Sequence, residues 1–118
     1  MSSSQRAGRI EVSRHAIALV VAEAVSGCYG VVGMASHSLR DGLGVVLRRD
    51  NLDRGIGVRM VDGRIRVEIY VIVEYGTRIR EVGRNVAEAV TFAIERSLGI
   101  PVEHVTVNIQ GLRVSTDA

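Results

Sequence analysis

Residues 55–76, GIGVRMVDGRIRVEIYVIVEYG, are two alternating runs joined at Asp62-Gly63. Asp-Gly is a pair favoured in type I′ turns, whose twist matches that of two antiparallel strands. On the first run Ile56, Val58 and Met60 share a face. On the second, Ile65, Val67, Ile69, Val71 and Val73 share one face, and Arg64, Arg66, Glu68, Tyr70, Ile72 and Glu74 share the other. Successive side chains of a strand point to opposite sides, so this pattern predicts a hairpin with one buried face. The rest of the chain must supply the layer that buries it.

Downstream, Gly76-Thr77 opens a long helix. Ile79, Val82, Val86, Ala89, Val90, Ala93, Ile94 and Leu98 form one 3.6-period stripe, and Gly99 with Pro101 stops it. Arg84 and Glu88 stand four residues apart on its wet side. The closing run HVTVNIQGLRV, residues 104–114, is expected to bury Val105, Val107 and Ile109. Its apolar parity flips to Leu112 and Val114 at Gly111, which predicts a bulge. A strand, a helix and a second strand in this order predict a parallel crossover.

Upstream, GRIEV, residues 8–12, alternates and reads as a short strand. Ser13 is placed to cap a helix with Ile17, Val20, Val21, Ala24 and Val25 on one stripe, and Gly27 falls where a left-handed C-terminal residue belongs. DGLGVVLRRDN, residues 41–51, is read as a short helix, with a strand as the alternative. The order β-α-(α)-β-β-α-β predicts an α/β (α+β) two-layer sandwich: a small mixed sheet with two main helices on one face. The domain is expected over residues 8–114, with flexible ends at 1–7 and 115–118.

Composition agrees with one aliphatic domain. The 118 residues are 47% hydrophobic but only 3% aromatic, and all 15 basic residues are Arg. A chain of this length buries roughly two-thirds of its unfolded surface. The formal net charge of +2 is too mild to demand a nucleic-acid partner. One cysteine permits no internal disulfide and fits a reducing, cytoplasmic setting. The longest stretch without a formal charge, residues 24–39, is broken by Gly, Ser and His and falls short of the roughly 18 apolar residues a membrane span needs.

The densest candidate for chemistry is GCYGVVGMASHS, residues 27–38. Cys28 follows a helix C-terminus, where the dipole opposes a thiolate, and none of His15, His37 and His104 is tied to it by spacing. Gly27, Gly30 and Gly33 also follow a helix, whereas a phosphate loop follows a strand and opens a helix. Gly27, Cys28, Tyr29, Gly30 and Gly33 are therefore read as a structural turn, and no catalytic, cofactor or metal site is expected. The histidines lack metal-ligand spacing, and the carboxylates Glu68, Glu74, Glu81, Glu88 and Glu95 read as solvated charges.

The arginines Arg48, Arg49, Arg54, Arg59, Arg64 and Arg66 cluster around the hairpin. A nucleic-acid-binding sheet would interleave them with stacking aromatics, and only Tyr70 shares their face. Two helices packed on the opposite side leave this face uncovered. Arg59, Arg64, Arg66, Tyr70 and Ile72 are thus candidate partner-binding residues, since tyrosine, isoleucine and arginine together suit a protein contact. An ordinary wet sheet face is the alternative.

The segments GRIEVS, CYGVVGMAS, DGL…LRRDN…RGIGV, YVIVEYGTRIREVGRNV and VTVNIQGLRV resemble the alkaline-shock-protein family of Gram-positive-type bacteria, and within it the small YloU-like branch. The resemblance spans residues 8–114. It implies a cytoplasmic, general-stress protein tied to cell-envelope homeostasis, without enzymatic activity or cofactor. It also implies self-association, with a membrane-anchored protein or a neighbouring kinase-like protein as further partners. Tyr75-Gly76 and the GVVGM turn match the family pattern as helix punctuation. Against this stand an RNA- or DNA-binding module built on the Arg-rich hairpin and a thiol enzyme built on Cys28.

Overall fold

The computed structural model describes residues 11–35 and 55–114. In chain order these form α1 (Arg14–Ser26), β1 (Val31–Met34), β2 (Ile56–Val61), β3 (Arg64–Glu74), α2 (Ile79–Leu98) and β4 (Val102–Arg113). The expected hairpin is present. β2 and β3 pair antiparallel from Val61↔Arg64 to Ile56↔Ile69, and Asp62 and Gly63 take φ of 52° and 77°. Positive φ at both central positions is what a type I′ turn requires.

β3 organises the sheet. Along one edge it pairs β4 in parallel, the product of the α2 crossover. Its other edge is shared: β2 takes the first half, and β1 takes the second, from Met34↔Val71 to Val31↔Val73. The result is a mixed four-stranded sheet. β4 carries two irregularities. One falls at Glu103, between Val102 and His104; the other falls at Gln110, between Ile109 and Gly111, as the parity flip foretold.

Both helices lie on the core face. Ile17, Ala18, Val21, Ala22 and Val25 of α1 and Val82, Val86, Val90 and Ile94 of α2 join Ile65, Val67, Ile69, Val71 and Val73 in one cluster. Burying aliphatic side chains at roughly 1.5–3 kcal/mol each is what holds the layers together. Among the described residues no polar or charged side chain is buried. Ser13 caps α1, its Oγ accepting from the Ala16 N–H at 3.0 Å. Gly99 closes α2 in the left-handed region at φ 70°.

Four expectations need correction. Glu11 and Val12 are not in a strand, while residues 8–10 of that run, and the helix expected over 41–51, lie outside the described residues. VVGM is not a turn but strand β1, which also holds Gly33. Gly27 has φ −90°, so it needs no left-handed freedom; Gly30, at φ 89°, does. A Cβ on Gly30 would lie 2.7 Å from Val82 Cγ2, so α2 also requires the missing side chain. Val105, Val107 and Ile109 are half-buried rather than buried, because β4 lies at the edge of the sheet. Arg84 and Glu88 are both exposed, as expected of the wet side of α2, and ion pairs join Arg66 to Glu103 and Arg78 to Glu81, both at 3.5 Å.

Candidate functional site

The alternation of β3 delivers its second set of side chains to the face that neither helix covers. Arg64, Arg66 and Glu68 are exposed there, and Tyr70, Ile72 and Glu74 are half-buried. Pairing to the neighbours then arranges them in rows. Arg59 of β2 stands directly across from Arg66, and His104 of β4 flanks Arg66 on the other side. Gly57, Glu68 and Thr106 form the next row. Tyr70 lies beside Asn108, whose Nδ2 donates to the Ile69 carbonyl at 3.3 Å and to Glu68 Oε2 at 3.4 Å.

Ile72 has an unusual position. Its neighbour on β1 is Gly33 and its neighbour on β4 is Gly111. Both cross-strand partners lack a side chain, so neither of them walls in the half-buried isoleucine. A Cβ on Gly111 would sit 3.8 Å from Ile72 Cγ1, in ordinary contact. Glycine in a strand interior marks a place where another group can approach the backbone closely. Arg64 is set apart from this patch, next to the hairpin turn and opposite Val61.

The turn residues are divided differently from the sequence expectation. Cys28 packs against the core, and its Sγ–H donates to the Ala24 carbonyl at 3.4 Å. Partial burial raises its pKa by removing water from the thiolate. Tyr29 and Tyr75, read as punctuation, carry exposed rings, at 79% and 64%. Gly76 turns the chain at φ 97°, with Thr77 Oγ1 donating to the Glu74 carbonyl at 2.7 Å. His37 and the arginines Arg48, Arg49 and Arg54 lie outside the described residues.

A cavity of about 630 Å³ adjoins the arginine row. Arg59, Arg66, Glu68 and His104 line it from the sheet, and Arg14 and His15 reach it from the first turn of α1. Sequence reading drew Arg59 and Arg66 together but had no signal for Arg14, His15 and His104, which arrive from separate elements. Among the described residues no group of three or more His, Cys, Asp or Glu side chains is arranged to hold a metal, and no helix is long and apolar enough to cross a membrane.

The sequence pattern of the alkaline shock protein 23 family, described as having a cell envelope-related function, matches residues 2–114. This chain belongs to that family. The uncharacterized protein YloU of Bacillus subtilis strain 168 is 41% identical over 92% of this chain and 91% of its own length. The uncharacterized protein Spy1614 of Streptococcus pyogenes serotype M6 is 39% identical over 91% of this chain and 89% of its own. The alkaline-shock-protein resemblance, in its YloU-like form, therefore holds. Among solved structures, MamM CTD aligns over 86% of this alkaline-shock-family chain and 96% of its own, at 16% identity and a TM-score of 0.49.

Proposed function

We propose that this alkaline-shock-family chain is a non-catalytic scaffold or adaptor domain that self-associates and serves the cell envelope from the cytoplasm during stress. The observation that carries the reading is Ile72, set between Gly33 and Gly111 beside Tyr70 on the face opposite both helices. A half-buried apolar side chain flanked by two glycines gains when another surface covers the rest of it. Tyr70 and Ile72 form the apolar centre of that contact, and Arg64 lies toward its charged rim, in keeping with the make-up of protein interfaces. A membrane-anchored protein or a kinase-like protein is the further class of partner, docking on the same face.

The state of Cys28 supports the non-catalytic part of the reading. A nucleophilic thiol needs a lowered pKa, and this one is raised. The family description also points to the cell envelope rather than to a reaction.

Light scattering coupled to gel filtration tests the contact. The wild-type chain should elute at a multiple of 12.8 kDa. Ile72→Asp and Tyr70→Asp should move the mass toward a single chain while the circular dichroism spectrum stays unchanged. A monomeric wild type, or variants that keep the wild-type mass, would sink the proposal.

A further inference from the structure

The described lining of the cavity beside β2 sets three arginines against one carboxylate. Arg14, Arg59 and Arg66 bring three guanidiniums to its wall, His15 and His104 bring two imidazoles, and Glu68 is the one carboxylate among its described lining residues. Glu68 is also engaged elsewhere, accepting from Asn108.

Two features of this cluster run against local electrostatics. Arg59 and Arg66 are direct cross-strand neighbours, and like charges placed opposite one another destabilise a sheet. α1 opens with Arg14 and His15 and has no acidic residue in its first turn, although the helix dipole favours negative charge there. Among the described residues neither is repaired by an acidic partner of Arg14 or Arg59, which make no ion pair there. Arg66 reaches Glu103 at 3.5 Å, but both side chains are some 40% exposed, where such pairs contribute little. Independent elements thus place unfavourable positive charge on the same hollow. Departures from local rules that converge on one cavity are the mark of a binding site.

We propose that this cavity binds a small phosphate-bearing anion, held between the neighbouring guanidiniums of Arg59 and Arg66 on the sheet, with Arg14 of α1 adding positive charge to the cavity wall. Guanidiniums match phosphate oxygens in a two-pronged geometry, and a bound dianion turns both repulsions into attraction. The volume lies within the usual range for small-molecule sites. The arginines that line it are exposed, so the site is reachable and its affinity should fall as salt rises. The ligand chemistry has two sources, a free phosphate ester or a phospholipid headgroup. The proposal goes beyond the contact face proposed above, and oligomer mass and anion binding report on the two separately.

Calorimetric titration of the full chain with sodium pyrophosphate at low ionic strength tests it, alongside co-sedimentation with phosphatidylglycerol and phosphatidylcholine vesicles. Saturable pyrophosphate binding is expected, weakening by about tenfold or more in Arg59→Gln/Arg66→Gln. Arg96→Gln, on α2 where the guanidinium lies over the Phe92 ring, should bind as wild type. The double variant should melt at the same temperature as wild type or higher, because a repulsion has gone; a merely structural role for the pair would lower it. Pyrophosphate binding with no vesicle binding assigns a free ester. Co-sedimentation with phosphatidylglycerol alone, lost in the double variant, assigns a headgroup. No saturable binding to either probe, or binding untouched in the double variant, overturns the proposal. Retention on a poly(U) column without pyrophosphate binding also overturns it, in favour of an RNA surface.

Discussion

The two faces of β3 are built from one strand under different constraints. On the core face Ile65, Val67, Ile69, Val71 and Val73 are at most 3% exposed and pack in one apolar cluster. The opposite face mixes charged, aromatic and aliphatic side chains, and the setting of each comes from what stands beside it on β1, β2 or β4. The core face needs volume and hydrophobicity, which many residues can supply. The open face depends on particular neighbours: glycines around Ile72, an arginine opposite Arg66. Stability should therefore reside on one side and interaction on the other.

The largest test of that division is Ile69→Ala, which should lower stability by about 2–5 kcal/mol in urea unfolding, the range for an isoleucine removed from a close-packed core. A loss below about 1 kcal/mol would mean the core face is not the stabilising one. Next comes a matched pair of substitutions. Gly30→Ala adds a methyl at φ 89° against Val82 and should cost about 1–3 kcal/mol, part of it recovered by Val82→Ala. Gly111→Ala adds the same methyl in ordinary contact with Ile72 and should be neutral or stabilise by up to about 1 kcal/mol, while shrinking the oligomer in light scattering. Equal effects of the two would erase the distinction between the faces.

Arg59→Gln should give the smallest change in stability, a gain of about 0.2–1 kcal/mol at low salt that fades as salt screens the repulsion. A loss would show that Arg59 is a structural residue. Cys28 sharpens the comparison from the core side. With its pKa raised by burial, less thiolate is present at any pH below that value. Iodoacetamide alkylation at pH 8 should therefore run slower than for a free thiol and catch up only at higher pH. Faster alkylation would reopen the thiol-enzyme reading.

Much of the fold was legible because local rules and packing agreed. The Asp62-Gly63 turn, the alternation of β3, the stripe of α2, the stop at Gly99 and the bulge near Gly111 all rest on spacing within a few residues. β1 was not legible. Four residues containing a glycine carry little alternation, and a bulge at Val32 breaks what there is. Gly27 and Gly30 are equally permissive in sequence; only the approach of Val82 shows which of them the fold requires. Of the site, Tyr70, Ile72 and the hairpin arginines could be placed on one face from parity alone. Their exposure and company could not.

Periodicity by itself determined the strands β2, β3 and β4, the two helices and the side of β3 that is buried, since backbone geometry spaces side chains at 2.0 and 3.6 residues whatever lies far along the chain. Tertiary structure decided which strand takes the second half of the β3 edge, which glycines flank Ile72 and which charges meet Arg59 and Arg66. Those are contacts between residues distant in sequence, and they arise only once burying one apolar face has brought separate elements into register.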